Sequence, residues 1–178
     1  MLTRTLMILI GTVLLPAKRP TPVSVLPPSD ATILGALAAT DANEIETAKL
    51  ASSKASAQEV KDYADQLVRD HERSRQEATA LATRLGITPV VDTINASAHR
   101  DLMTKLNALS GVAFDRTFVL AMVAGHKAAI AQVSGTYLPA ASNPQLRAFI
   151  QKLIPILRNH EMMGQRWLTA HKIPAGKP

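Results

Sequence analysis

Four ionisable side chains stand at the centres of apolar helical stripes in this sequence. At about 100° per residue, His71 lies in the middle of the face formed by Ala64, Leu67, Val68 and Ala78. The same angular arithmetic places three further residues at the centres of other apolar stripes: Glu44, His126 and His160. Burying one unpaired imidazole or carboxylate costs several kcal/mol, so four such groups in one core require a common explanation.

Three interpretations of these four residues remain open. Three imidazoles and one carboxylate are suitable ligands for one divalent transition metal such as Fe, Mn or Zn, which predicts a metal site at Glu44, His71, His126 and His160. The second interpretation is a metal-free hydrogen-bonded network, in which Glu44 accepts from His71 or His126 and structural water fills the remaining space. The third is that the helical angles assigned from the sequence are wrong, so that these side chains do not point into the core of the folded chain.

Helix signals recur along the chain and predict an all-α fold with four long helices. The predicted helices are the segment from an N-cap at Ser29 or Asp30 to residue 55, the segment from a Ser56/Glu59 capping box to Leu85 before Gly86, the segment from Val112 to Ser134 before Gly135, and the segment from an Asn143 N-cap with Pro144 in the first turn to His171. The connection over residues 87–110 is long enough to cross the bundle, and its stretch ASAHRDLMTKLNALSG could form a short helix. Two hairpins joined by such a crossover predict a ferritin-like four-helix bundle, ahead of a simple up-and-down bundle.

Counting residues from the predicted turns gives the heights of the four residues along their helices. Glu44 and His71 lie about twelve and about fifteen residues from the first turn, which makes them level at about 1.5 Å per residue. His126 lies about nine residues before the second turn and His160 about seventeen after it, an offset of about two helical turns. The second pair therefore meets only if the YLPAAS loop absorbs the difference.

Length and composition limit the class of protein. The 178 residues fit one domain, and 3% aromatic residues suit packed helices better than a β-sandwich. The chain contains no cysteine, which excludes a disulfide framework, a thiolate nucleophile and a Cys-type zinc site. The predicted organisation is an N-terminal segment of residues 1–28, a helical domain of residues 29–172 and a flexible tail of residues 173–178.

The N-terminal segment has the features of an export signal. Arg4 precedes an apolar run from Thr5 to Leu15, which has the length of a signal-peptide core and is short for a membrane-spanning helix. We therefore expect export to the periplasm or cell envelope. Because Leu15-Pro16-Ala17 supplies a small residue at only one of the two expected cleavage positions, an uncleaved N-terminal membrane anchor is the alternative.

The same N-terminal segment contains a proline-rich linker and part of the net positive charge of the chain. Residues 16–28 hold five of the eleven prolines, which favours an extended linker. Removing Arg4, Lys18 and Arg19 reduces the net charge from +6 to +3. With no basic run and few aromatic residues in the rest of the chain, nucleic-acid binding is not predicted; the expected partners are a metal ion and, through the N-terminus or the surface, a membrane.

Three stretches carry a resemblance to a known family. NEIETAKLASSKASAQEVKDYADQLVRDH, FDRTFVLAMVAGHKAAI and LIPILRNHEMM resemble the bacterial ferritin-like exported proteins of domain-of-unknown-function family 4142, over about residues 31–170. The resemblance implies an exported ferritin-like four-helix domain and brings no established reaction with it. The wider ferritin-like group suggests iron chemistry through Glu-x-x-His motifs, but the residues three positions before the inward histidines are Val68, Val123 and Leu157. A dinuclear oxygen-activating centre is therefore not expected.

Three classes of function follow from these observations. The leading hypothesis is a non-catalytic exported protein that binds one divalent metal in the bundle core and acts in envelope stress or metal handling, the stress role coming from the resemblance. The enzyme alternative is a mononuclear-metal oxidoreductase, which requires an open coordination position and a pocket that reaches it. The third class is a metal-free structural or interaction module. The sequence contains no nucleophile elbow and no Gly-rich phosphate loop, so hydrolase and nucleotide-binding functions are not predicted.

Overall fold

The structure is a computed structural model that describes residues 27–91, 93 and 96–174, and every regular element in this part of the chain is helical. The helices are α1 (Asp30–Lys54), α2 (Gln58–Leu85), α3 (Ala96–Ala108), α4 (Gly111–Gln132), α5 (Leu138–Ala140) and α6 (Pro144–Ala170), with a π-helical turn at Val133–Tyr137. This confirms the all-α prediction. Apart from Pro27 and Pro28, the predicted export signal and linker lie outside the described residues, as do residues 175–178 of the predicted tail.

Three helix ends form as the local sequence predicts. Ser29 is the N-cap of α1, and its hydroxyl accepts the Thr32 amide at 3.2 Å. Gly86 ends α2 in the left-handed region with φ 66°, which a glycine adopts without steric strain. The Asn143 side chain accepts two amides of the first turn of α6 at 2.8 and 3.4 Å.

The predicted capping box at the start of α2 is wrong. The helix begins at Gln58, and the Ser56 side chain donates to Asp115 of α4 rather than accepting a backbone amide. The Asp115 carboxylate also accepts the amides of Ser56 at 2.9 Å and Ala57 at 2.8 Å, so an acid from another helix caps α2. This long-range cap outcompetes the local one because a buried carboxylate accepts three hydrogen bonds at once.

The predicted stop at Gly135 is also wrong, and its failure sets the height of the histidines. Gly135 does not take up a left-handed conformation, and the helical path continues through the π-helical turn into α5. His126 therefore lies fourteen residues before Ala140, and His160 lies sixteen residues after Pro144. The offset predicted between these two histidines disappears, because the turn between their helices is later than expected.

The long helices pack in pairs, α1 on α2 and α4 on α6, and α2 also contacts α6 while α1 contacts α4. The connection between α2 and α4 follows α1 from its start to its end: the Val90 amide donates to the Ala31 carbonyl at 3.0 Å, and the Lys54 ammonium donates to the Leu106 carbonyl at 3.1 Å.

The continuous helix Gly111–Ala140 contains an 18-residue window of mean hydropathy 1.2. By length and composition it could cross a membrane, as core helices of soluble proteins also could.

Two apolar clusters fill the interior at different heights. One is built from residues near the α1–α2 turn and includes Leu67, Phe114 and Phe118. The other is built near the start of α1 and includes Ile33 and Ile150. The inward histidines occupy the layer between them, where water is excluded from above and below.

The close approach of Val90 to α1 predicts a sensitive glycine. A Cβ added at Gly35 would lie on the Val90 carbonyl oxygen, so Gly35→Ala should displace this segment and break its hydrogen bond to Ala31. We expect the free energy of unfolding, measured by urea denaturation, to fall by about 1–3 kcal/mol. The control is Gly135→Ala, whose added Cβ meets no atom within 4 Å and should leave stability unchanged or higher. Equal effects of the two substitutions would contradict the close approach.

The interhelical cap predicts a second stability effect. Asp115→Ala removes the acceptor of the amides at the start of α2 and should lower the free energy of unfolding by about 2–3 kcal/mol. Asp65→Ala, at an exposed acid of α2, is the control and should change it little. The measurement is urea denaturation followed by circular dichroism. A loss no larger than that of the control would show that the cap contributes nothing.

Candidate metal centre

Three histidines from three helices meet in the layer between the apolar clusters. His71 of α2, His126 of α4 and His160 of α6 are 4%, 2% and 1% exposed, respectively. Their ring centroids lie 5.0 to 5.7 Å apart. One ring nitrogen from each lies within 4.8 Å of the others, so the three histidines could hold a single metal ion. The structure thus brings together three of the four residues that the helical periodicity singled out.

The hydrogen bonds of His126 and His160 determine which nitrogens carry protons. His126 Nδ1 lies 2.8 Å from the Met122 carbonyl oxygen, which can only accept, so Nδ1 carries the proton. His160 Nε2 lies 2.9 Å from a carboxylate oxygen of Asp70, so its proton is on Nε2. The remaining nitrogens, His126 Nε2 and His160 Nδ1, face each other at 3.2 Å. In the neutral imidazoles both carry lone pairs, and no proton lies between them.

His71 is held in the same way by an acid from α1. Its Nδ1 lies 2.8 Å from an oxygen of Asp41, which is itself 5% exposed. The other nitrogen, Nε2, is buried and has no hydrogen-bond partner. Each of the three imidazoles therefore directs one N–H outward to a fixed acceptor and one nitrogen toward the shared space. This is the arrangement of metal-binding histidines, whose second nitrogen usually donates to a carboxylate or a backbone carbonyl.

Two residues of this site carry roles that the periodicity did not assign. The helical wheel turns Asp70 away from the apolar stripe of α2, which predicts a surface position, but its side chain is 11% exposed and accepts from His160. On the wheel of α1, Asp41 lies close to the inward face. A helical wheel shows which residues of one helix share a face, whereas Asp70 is buried because α6 packs over the side of α2.

Glu44 lies beside the three histidines rather than among them. Within the described residues, the group whose donor atoms meet the 4.8 Å separation consists of the histidines. Glu44 Oε2 is buried without a hydrogen-bond partner, and Oε1 faces Gly125 of α4. A Cβ added at Gly125 would lie 3.7 Å from Glu44 Oε1, in ordinary van der Waals contact. Glu44 is thus a half-buried carboxylate at the edge of the site, whose Oε2 has no hydrogen-bond partner among the described residues, and its role as a metal ligand stays a prediction.

The charges around the site favour a cation. Burial opposes the charged form of His71, but the hydrogen bond to Asp41 and the negative charge of Glu44 outweigh it and raise the pKa of His71. Burial lowers the pKa of His126, although Glu44 acts in the opposite direction. Burial lowers the pKa of His160 to about 4, against the hydrogen bond to Asp70 and with help from the other two imidazoles. His126 and His160 are therefore neutral near pH 7, as metal ligands must be.

Asp70 stays ionised in this environment. Burial opposes the ionised carboxylate, but hydrogen bonds from His160 and Gln66 hold the pKa of Asp70 below its ordinary value. Its acceptor role at His160 Nε2 is consequently permanent at neutral pH. The proton of His160 is fixed on the outer nitrogen, and the inner nitrogen remains free.

A cavity of about 560 Å³ adjoins the centre. Its inner wall includes His71, His160 and Glu44, and its outer parts include exposed residues such as Arg73 and Lys152, so the cavity reaches the surface. Most of the remaining wall is apolar and is contributed by all four long helices. Small molecules can therefore reach the layer of histidines.

The two other described histidines lie away from the inner nitrogens. The side chain of His99 of α3 is 13% exposed, and its Nε2 lies 3.0 Å from Glu46 of α1, where it helps to attach α3. His171 is exposed and stacks on Trp167 with ring centroids 4.2 Å apart.

The proton assignment can be measured directly. In the chelator-treated protein near neutral pH, the ¹⁵N shifts of the imidazoles should show His126 protonated on Nδ1 and His160 protonated on Nε2. The physical reason is that Met122 O and the Asp70 carboxylate can only accept. A neutral His126 protonated on Nε2 would contradict the assignment, because that proton would lie between the two rings.

Comparison with known proteins places the chain in a family. The family model described as Domain of unknown function (DUF4142) matches residues 15–166, which include α1, α2, α4, most of α6 and every residue of the histidine layer. Searches of the curated proteins and of the solved structures gave no match. Because the family model covers most of the chain, this protein belongs to the DUF4142 family.

Proposed function

We propose that this protein binds one divalent transition-metal ion between His71, His126 and His160, with Glu44 acting on the ion directly or through a bound water. One observation carries the proposal: each imidazole has its outer N–H fixed on an acceptor while its inner nitrogen is free and buried. When all three imidazoles are neutral, their inner nitrogens have no mutual hydrogen bond to form; the raised pKa of His71 favours a proton on its Nε2, which a bound metal would displace. A cation satisfies all three at once.

The metal-free network explains the same contacts less completely. In such a network His160 Nδ1 would have to donate to His126 Nε2 while His160 Nε2 donates to Asp70, which requires an imidazolium at His160. Burial opposes that charge, as the lowered pKa of His160 indicates. In the described residues, His71 Nε2 and Glu44 Oε2 have no hydrogen-bond partner from the protein, so the network would depend on water at both atoms. Buried unpaired polar atoms are costly, so the metal is the better account.

The donors favour a single ion of intermediate hardness. Three nitrogens and a nearby carboxylate, with no sulfur ligand, suit Zn²⁺, Fe²⁺ or Mn²⁺. The histidine group is the candidate cluster among the described residues, and it contains no bridging carboxylate. We therefore propose a mononuclear site and not a di-iron centre that oxidises or stores iron.

The cellular role proposed for the site is metal handling or protection of the cell envelope. The path of the α2–α4 connection along α1 supports a ferritin-like four-helix bundle, a fold that commonly carries metals between its helices. The apolar run after Arg4 supports export to the periplasm or envelope. A mononuclear-metal oxidoreductase is the second candidate, and the cavity that reaches the histidines favours it.

Metal content tests the proposal. Protein purified without an affinity tag from the bacterial envelope should contain nearly one divalent metal ion per chain by mass spectrometry. The His71→Ala/His160→Ala double variant should contain almost none, because two of three nitrogen ligands are gone. His171→Ala, at an exposed histidine, is the matched control and should keep its metal. Equal metal in the double variant and the control would place the ion elsewhere and overturn the site.

Thermal unfolding tests the same site without a substitution. Removing the metal with a chelator and returning Zn²⁺ should raise the melting temperature, since the ion binds the folded state; the gain is about 2.7 kcal/mol at a hundred times Kd. No change in melting temperature with Zn²⁺, Fe²⁺ or Mn²⁺, together with metal-free purified protein, would favour the hydrogen-bonded network.

A further inference from the structure

We propose that the ion in this centre takes an additional ligand from the adjoining cavity, namely a neutral molecule with one nitrogen or oxygen donor and an apolar body. This inference rests on the proposed metal site. If both proposals hold, the histidine layer binds a metal ion and, through that ion, small molecules of one chemical class.

The first argument is the number of protein donors at the centre. The three histidines supply three nitrogens, whereas the transition metals concerned take four or more ligands. Glu44 lies outside the three-nitrogen group and forms part of the cavity wall. Where Glu44 acts through a bound water, at least one coordination position is available beside it, and the adjoining cavity is the space from which that position is reached.

The second argument is the size and lining of the cavity. Its volume of about 560 Å³ lies in the range of sites that hold small organic molecules rather than water alone. The walls between the centre and the surface are mainly apolar and include Leu37, Met122, Leu153 and Ile156. An apolar body of this size gains free energy by leaving water, whereas a wholly polar ligand would lose its hydration there.

The third argument is charge. Three carboxylates surround the layer: Glu44 at the cavity wall, Asp41 behind His71 and Asp70 behind His160. Their three formal negative charges already exceed the two positive charges of a divalent ion. An anionic ligand would add to this excess in a poorly solvated site, while a neutral donor would not. The cavity rim carries charges of both signs, Arg73, Lys152 and Glu77, and does not reverse this preference.

Cobalt substitution makes ligand binding visible. In the Co²⁺-loaded protein, adding 4-phenylimidazole, a neutral nitrogen donor with an apolar body, should change the visible absorption of the metal in a saturable way. Benzoate has a similar apolar body and an anionic donor, and it should bind more weakly. Benzoate binding as tightly as 4-phenylimidazole would overturn the selection for a neutral ligand.

Two matched variants locate the binding. Ala129 lies on the cavity wall one turn after His126, so Ala129→Phe fills the cavity and should weaken 4-phenylimidazole binding on the order of tenfold or more, with Co²⁺ retained. Ala131→Phe, at an exposed position of the same helix, should leave it unchanged. Equal binding by the two variants would show that the ligand does not enter this cavity.

Methyl NMR of the Zn²⁺-loaded native protein keeps the test independent of how Ala129→Phe folds. Addition of 4-phenylimidazole should shift the methyl signals of Leu37 and Leu153, which line the cavity. Stoichiometric Co²⁺ and Zn²⁺ binding without any response to 4-phenylimidazole would overturn this inference and leave the metal site intact. Failure to bind Co²⁺ or Zn²⁺ at all would instead overturn the proposed function and the inference together.

Discussion

The contact between two buried, unprotonated imidazole nitrogens is the constraint on which this structure depends. His126 Nε2 and His160 Nδ1 stand 3.2 Å apart, while their other nitrogens are committed to Met122 O and Asp70. Two lone pairs at this distance repel each other in a medium of low dielectric constant. The chain nevertheless buries both groups, together with the unpartnered Nε2 of His71. A cation between the rings converts this repulsion into coordination.

The surrounding helices hold the rings at this distance. Gly164 of α6 has no side chain where Val123 of α4 approaches, since a Cβ there would come within 2.6 Å of the valine. The Tyr63 hydroxyl of α2 donates to the backbone carbonyl of His160 at 2.9 Å, and burial raises the pKa of Tyr63, so this donor keeps its proton. Apolar clusters pack on both sides of the layer along the bundle. The site is consequently prepared by packing rather than assembled by its ligand.

The carboxylates that accept from the imidazoles determine both the orientation of the rings and the charge of the site. Asp41 and Asp70 fix the orientation and the proton position of two histidines, and they add negative charge without occupying a coordination position. Glu44 adds a third charge at the cavity wall, where it faces both the centre and the space leading to the surface. In the proposed metal site, these charges would favour a dication and oppose an additional anion. The proposed metal binding and the proposed ligand selection therefore depend on the same three carboxylates.

The sequence by itself determined the helices and the inward direction of the histidines, because helical periodicity, caps and the αL glycine at Gly86 act within a few residues. The tertiary structure decided what surrounds those histidines. Packing of α6 on α2 makes Asp70 a buried acceptor, and Asp115 of α4 caps α2. The helical path continues past Gly135, so that His126 and His160 are level. Glu44 lies beside the three nitrogens. Each of these outcomes depends on a group from another helix, and its distance in space is not encoded by spacing along one helix.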